Sequence, residues 1–446
     1  MPKIINSILF SVFIFGMPLL FLFVKKETQS NDEKRKLAVI PEFTYRNYIS
    51  GKWAEGVDNY VDDHFPFRTK LIEGATALQA YKGFTLDDAE KVVVVQKKPK
   101  QKTKNSDKDK KASMNYLDDF QEDYSGSLLI IDGCVYPMGG GSPKMSKYFS
   151  KMVSEYARDL KGETRVFSAV APLSSAFIPV KKHQKYNEQN RKTLAAIGNT
   201  LTDGALFCDV FGELNKHVDQ KMYFGSDHHW KPIGAYYAYV AFCKTAGFTP
   251  VPLEKMDKKV KYNFLGSMYQ HTRDPSVKAH PDTMEYWIPR VETTAVRYGE
   301  YGYDRFTKTK VFANGASGGN TYSTFLGGDA PLIRIKTNVK NGKKAVVIKN
   351  SMGNAFAVYL ISHYQEIWVV DFRYSKHNLM DLVRANNIND MIFALGMYGA
   401  MSNGTIGMMR NLGKQSGVYI PKPSTAQDGD SVTVSPASPS DTSSSQ

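Results

Sequence analysis

Apolar positions along this chain fall into three regimes. From Ile4 to Val24 (IINSILFSVFIFGMPLLFLFV) they form a run of 21 residues without a charge, enough to cross a bilayer as a helix rising about 1.5 Å per residue. From Leu37 to Lys82 they recur at helical spacing, with Trp53, Val57, Tyr60, Val61 and Phe65 in register. Thereafter short apolar runs alternate with amphipathic stretches. Gly126–Pro137 (GSLLIIDGCVYP) predicts a strand pair with a tight turn. Lys147–Leu160 predicts a helix, Arg165–Ala171 a buried strand, Asn187–Leu201 a helix, Leu206–Val210 a strand, and Pro232–Ala246 a helix closed by Gly247. Residues 251–330, rich in Tyr, Gly and Pro, offer no clean period and read as an irregular insertion. The alternation then resumes: Ala345–Lys349 strand, Ala355–Ser362 helix, Ile367–Asp371 strand, Leu379–Ala385 helix, Met391–Leu395 strand.

A βαβαβ run of this kind predicts an α/β fold, with parallel strands, right-handed crossovers and helices covering the sheet. The expected organisation is a signal-anchor (1–26), an N-terminal helical region (27–96), a basic disordered linker (97–117), an α/β domain (118–420) and a disordered Ser/Thr/Pro-rich tail (421–446). Lys3 precedes the first apolar run and Lys25–Lys26 follow it, without a clear small-x-small cleavage site, so it reads as an uncleaved transmembrane anchor. Counting the flanking positive charges alone places the body in the cytoplasm.

Net charge is +14, but Lys97–Lys111 holds eight Lys against two Asp, which is +6 in one stretch and leaves +8 over the rest. With no RNA-binding or helix-turn-helix signature, that distribution argues against a nucleic-acid partner and fits a solvated linker or an acidic surface. Cys134, Cys208 and Cys243 are odd in number and widely spaced, the pattern of buried free thiols, though an oxidising compartment would permit one disulfide. No CxxC pair suggests structural zinc, and Gly139–Gly141 lacks the strand–GxGxxG–helix context of a dinucleotide site. No cofactor or metal is expected.

Ligands of open α/β sheets bind beyond the carboxyl ends of the strands. The strand AVVIK runs into Asn350-Ser351-Met352-Gly353-Asn354, which raises the Ser351 hydroxyl at that edge and gives it the amides of a helix start. A serine hydroxyl needs a base. In GSDHHW (Gly225–Trp230), Asp227 and His229 share one side of an extended segment while His228 points away. The roles would be His229 as general base and then acid, and Asp227 as the group that fixes its tautomer. Two bland readings stand beside this: a Ser after a strand serves as a helix N-cap, and the DHH cluster could be half a metal site completed by His280 or Asp282.

The stretch GSDHHWKPIGAYYAY resembles the signature of the DHHW family, which is similar to the AlgJ- and AlgX-type alginate O-acetylation proteins. DNYVDDHFPFR (Asp58–Arg68), NTYSTFLGGDAPLIRIKT (Asn320–Thr337) and KNSMGNAF (Lys349–Phe356) agree with it, so the resemblance covers roughly Leu37 to Met401. It implies a circularly permuted SGNH-hydrolase-like domain, the Asp–His pair preceding the Ser, placed outside the cytoplasmic membrane. It further implies O-acyl transfer or ester hydrolysis on a surface or secreted polysaccharide, with a membrane-bound O-acyltransferase as acyl donor. Ser351 matches the nucleophile, His229 the base and Asp227 its orienter. The sequence departs from ordinary SGNH enzymes in carrying Asn350 where those have the Asp of GDS, and their later oxyanion blocks find no counterpart. The Ser351 N–H is then the expected oxyanion donor, with Asn354, Gly353 and the Gly327–Gly328 amides as candidates to help it. The rival expectation is a non-catalytic, membrane-anchored protein that binds glycan or scaffolds an assembly.

Overall fold

The structure, a computed structural model, describes residues 2–30, 35–80, 90–95 and 126–415. The expected basic linker and terminal tail lie outside the described residues. The body is organised by one eight-stranded sheet. In chain order its strands are β1 (Arg165–Ala171), β2 (Leu206–Phe207), β3 (Thr293–Tyr298), β4 (Phe306–Thr309), β5 (Leu332–Thr337), β6 (Lys344–Lys349), β7 (Glu366–Asp371) and β8 (Asp390–Gly396). Across the sheet they run β4-β3-β5-β7-β6-β8-β1-β2. The four pairings from β7 to β2 are parallel, and the three from β4 to β7 antiparallel.

The parallel strands are almost wholly apolar because both faces are covered. Side chains alternate between two cores. Val347, Ile367, Val369, Ile392 and Ala394 meet Ala235, Ala238, Tyr239 and Phe242 of helix Pro232–Ala246. Val346, Ile348, Trp368, Met391 and Phe393 face Phe149, Met152, Val153 and Tyr156 of helix Pro143–Asp159. That second helix begins where the Ser142 hydroxyl caps the Met145 N–H, and the first ends at Gly247 with φ +77°. The tight turn between Gly126–Ile131 and Cys134–Pro137 uses Asp132 (φ 47°) and Gly133 (φ 71°), as a two-residue hairpin with right-handed strand twist requires.

Residues 251–330 are far from irregular. Met256–Phe264 and Asp282–Pro289 form a bulged hairpin, and β3 and β4 extend the main sheet. Their pattern is hard to read because most of Met256–Phe264 is exposed between its two buried ends, and β4 is exposed along most of its length. Leu206–Val210 also departs from expectation: only Leu206–Phe207 pairs, since Asp209 caps a short helix at Val210–Leu214. The predicted N-terminal helix is three: Tyr45–Ile49, Lys52–His64 and Arg68–Ala80. Gly51 (φ 73°) and Phe67 (φ 57°, after Pro66) interrupt it. The first apolar run is a helix, Pro2–Phe23; its stretch Ile4–Phe23 has mean hydropathy 2.2, and none of it is buried inside the fold.

Candidate active site

Strands β6, β7 and β8 end side by side, with Lys349 paired to Asp371 and Ala394, so the residues after them share one edge. At that edge β6 turns through Asn350 into Ser351 and helix Met352–Ala357. Ser351 occupies the N-cap position, yet its hydroxyl makes no capping bond. Instead Ser351 Oγ lies 2.8 Å from Nε2 of His229. The turn is tight because Gly353 presses on β8: a Cβ there would sit 2.5 Å from both the Ala394 carbonyl and the Lys349 Cβ.

His229 arrives on a loop whose ends are stitched together by the Tyr223–Trp230 bridge and the Lys231 N–H on the Met222 carbonyl. The Asp282 carboxylate clamps the loop from outside, accepting from Gly225 N (3.0 Å), Ser226 N (2.8 Å) and Ser226 Oγ (2.7 Å). Asp282 is therefore a backbone anchor, and His280 turns away to the Ser276 carbonyl. Neither completes a metal site with the DHH motif. Asp227, His228 and His229 themselves place one donor atom each within 4.8 Å of one another; of their ring nitrogens, His229 Nδ1 faces Asp227 and His228 Nδ1 faces Ser267.

Asp227 and His229 point inward and are buried, while half-buried His228 turns to Ser267 Oγ at 2.6 Å. Asp227 Oδ1 accepts from His229 Nδ1 (2.6 Å) and from the His229 N–H (2.9 Å), and Oδ2 accepts from Ser267 N (2.9 Å). With Nδ1 protonated, Nε2 is left as an acceptor for the Ser351 hydroxyl. Burial alone would push the Asp227 carboxyl up; the charge and hydrogen bond of His229, aided by His228 and the Ser267 amide, outweigh it and hold Asp227 below the carboxylate range. Burial, then the neighbouring His229, drives His228 down to about 3. The His229 ring also stacks on Tyr322, with centroids 3.7 Å apart and planes 12° from parallel. The Tyr322 hydroxyl and Trp230 Nε1 both donate to the Met352 carbonyl (3.3 and 3.0 Å), tying the base's flanks to the serine turn.

Beneath Ser351 lies a buried cluster of four charges. Lys349 Nζ meets Asp329 at 2.6 Å and Asp371 at 2.8 Å, and Arg373 reaches the same pair at 3.1 and 2.6 Å. Such a group is a liability unless every charge is answered, and here two cations answer two anions. Burial acts first on Asp371 and pushes its carboxyl up, against the pull of Lys349 and with the help of Asp329 beside it. Asp329 is lowered, the pull of Lys349 outweighing burial.

The structure thus brings Ser351, His229 and Asp227 together. It places the candidate oxyanion donors differently. The Gly328 N–H bonds the Phe325 carbonyl, the Gly353 N–H the Asn350 carbonyl, and the Asn354 side-chain amide donates to Asp329 at 2.9 Å. Gly353 and Gly328 are thereby corrected to structural roles, and Asn354 is a strut to the charge cluster. Sequence reasoning missed Ser267, Tyr322, Asp329 and Lys349. Tyr322 and Asp329 lie within Asn320–Thr337 and Lys349 opens Lys349–Phe356, stretches already singled out, but only the packing shows what they meet.

The family model for DHHW proteins matches residues 118–370. Among solved structures, a DHHW family protein from Eubacterium siraeum is 29% identical at a TM-score of 0.58, the match covering 63% of this chain and 94% of that one. Bacillus cereus PatB1 with a sulfonyl adduct is 16% identical at 0.51, covering 63% and 96%. The O-acetyltransferase domain of Pseudomonas putida AlgJ is 10% identical at 0.36, covering 63% and 96%. No curated protein matches the chain by sequence. The fold is a mixed α/β architecture, a large central sheet flanked by helices, shared with the Eubacterium siraeum and Bacillus cereus structures, and its Asp–His loop precedes its serine turn.

Proposed function

This chain belongs to the DHHW family, and we propose that within it the chain is a serine-dependent O-acyltransferase. Its donor is an acyl ester and its acceptor a hydroxyl of a cell-surface or secreted polysaccharide. The observation that carries this reading is the continuous relay from Asp227 through His229 to Ser351, with links of 2.6 and 2.8 Å. In the first half-reaction His229 takes the Ser351 proton as Oγ attacks the donor carbonyl. The tetrahedral oxyanion is held by the Ser351 N–H, and the protonated imidazole returns its proton to the leaving alcohol. In the second half-reaction a glycan hydroxyl gives its proton to His229 and attacks the acyl-serine; the acyl–Oγ bond breaks, the glycan ester leaves, and His229 returns the proton to Ser351 Oγ.

Transfer is favoured over hydrolysis because Ser351 and His229 are only 1% and 0% exposed. An acyl-serine kept from bulk water survives until an ordered acceptor enters. The polysaccharide acceptor, an extracytoplasmic body and a membrane-bound O-acyltransferase as donor rest on the family resemblance. The helix Pro2–Phe23 would hold the enzyme at the membrane where such a donor works.

The test is the purified full chain in detergent with p-nitrophenyl acetate and a sulfonyl fluoride probe. Parent protein should release p-nitrophenol and take up one sulfonyl group. Ser351→Ala, which gives up one hydrogen bond of about 1 kcal/mol, should fold and do neither. Equal rates from both proteins would remove Ser351 from the mechanism.

A further inference from the structure

Between Val39 and Ile49 six large apolar side chains face outward: Val39 is 75% exposed, Ile40 66%, Phe43 61%, Tyr45 77%, Tyr48 56% and Ile49 67%. A folded domain in water rarely displays so dense a run, and such a patch marks a surface that meets something apolar. Its position says what. The patch begins fifteen residues after Val24, the last of the apolar run Ile4–Val24, and the helix that follows it is fastened to the end of helix Pro2–Phe23. The Phe21 ring meets Tyr60 edge-on with centroids 6.3 Å apart, His64 Nε2 hydrogen-bonds the Glu27 carbonyl at 2.9 Å, and the Ala38 N–H donates to Asp63 at 2.7 Å. If Phe23 ends a membrane span, these contacts hold residues 39–53 at the height of the headgroups. Composition suits that depth: Phe43 packs between Tyr48 and Trp53 at 5.8 and 5.5 Å, and Tyr and Trp concentrate where an apolar ring and a polar tip are both satisfied.

The other end of this segment is joined to the body. Glu73, on helix Arg68–Ala80, accepts from the Tyr269 hydroxyl at 2.9 Å and from Lys278 Nζ at 2.8 Å. Tyr269 belongs to helix Ser267–Thr272, whose first amide holds Asp227.

We propose that residues 39–53 form an interfacial collar, seated in the lipid headgroup layer around the exit of the Pro2–Phe23 helix, so that the body is held at a fixed height on the bilayer. The proposal rests on that helix being a membrane anchor. Its occupant is lipid, and neither a second copy nor a partner protein.

The experiment uses the full chain in lipid nanodiscs on a Cys134→Ser background, Cys208 and Cys243 being buried. Single cysteines at Ile49→Cys, Val39→Cys, Phe13→Cys and Tyr262→Cys carry an environment-sensitive fluorophore, quenched either by nitroxide-labelled lipid or by aqueous iodide. Labels at Ile49 and Val39 should shift to the blue, lose most of their emission to the nitroxide lipid and resist iodide. The label at Tyr262, 70% exposed on the body, should do the reverse. Labels at 39 and 49 that iodide quenches overturn the collar, and so do labels shielded from both quenchers, which indicate a protein cover. A Phe13 label that lipid fails to quench overturns the anchor and the collar with it; a lipid-quenched Phe13 beside an iodide-quenched Ile49 overturns the collar alone.

Discussion

Replacing Asp227 by Asn keeps the volume and changes one thing: an acceptor on both oxygens becomes an acceptor on one side and a donor on the other. In the native site three donors converge on the carboxylate. His229 Nδ1 and the His229 N–H approach Oδ1 at 2.6 and 2.9 Å, and the Ser267 N–H approaches Oδ2 at 2.9 Å. An Asn must turn its NH2 toward one of these groups. Facing His229, it loses the His229 N–H as a partner and forces the ring proton from Nδ1 to Nε2, and Nε2 can no longer accept from Ser351 Oγ, 2.8 Å away. Facing Ser267, it sets donor against donor and loosens the helix that supports the loop. The first arrangement leaves the site buried and formed but in the wrong tautomer. In a serine-protease triad that change costs about 10⁴ in kcat, or about 5.5 kcal/mol of transition-state stabilisation. The same loss is expected here for p-nitrophenyl acetate turnover, with KM little changed and an unaltered far-UV spectrum. A kcat within about tenfold of the parent, in a preparation whose Ser351→Ala partner is dead, would refute the assignment of Asp227 as the group that sets the tautomer.

Three further outcomes follow from the same geometry. Gly266→Ala would place a Cβ 2.1 Å from Asp227 Oδ2, displacing the carboxylate from His229; a fall in kcat of about 10² or more is expected, and full activity would mean the relay tolerates a moved Asp227. Lys349→Met leaves Asp329 and Asp371 sharing Arg373 as their one remaining cation, so denaturant unfolding should show a loss of about 3 kcal/mol or more; an unchanged midpoint would deny the cluster its structural role. His228 and His271 are held neutral by burial, His228 down to about 3 and His271 to about 4. Between pH 6.5 and 4 the unfolded chain therefore binds the protons that the fold refuses, and stability is lost as pH falls, at up to about 1.4 kcal/mol per pH unit for each histidine. Chemical denaturation at pH 6.5 and 4.5 should show this, and His228→Gln should flatten the slope; an unchanged slope in that variant would remove His228 from the account.

How much of this could be read in advance divides along physical lines. The parallel half of the sheet was legible because buried strands are short apolar runs, and the helices carry end signals of their own: Asn378 caps Leu379–Ala385, and Pro232–Ala246 opens on Pro and closes at Gly247. Residues 251–330 were not, because Met256–Phe264 is held by its partner strand and buries only its two ends. An exposed hairpin has little apolar alternation to display.

The site divides in the same way. By itself the sequence determined which groups could react: a serine at a strand's carboxyl end, and an Asp and a His two positions apart. Whether Ser351 would cap its helix or meet His229, 122 positions earlier, was decided by the sheet, which sets β6 beside β7 and β8, and by the Trp230 and Tyr322 bonds to the Met352 carbonyl. The oxyanion candidates show the converse. Gly353, Gly328 and Asn354 are the right residue types at the right place in the chain, but their donors are taken by Asn350, Phe325 and Asp329. A hydrogen-bond donor's availability depends on what stands opposite it, and that is a property of packing between distant segments which no local pattern carries.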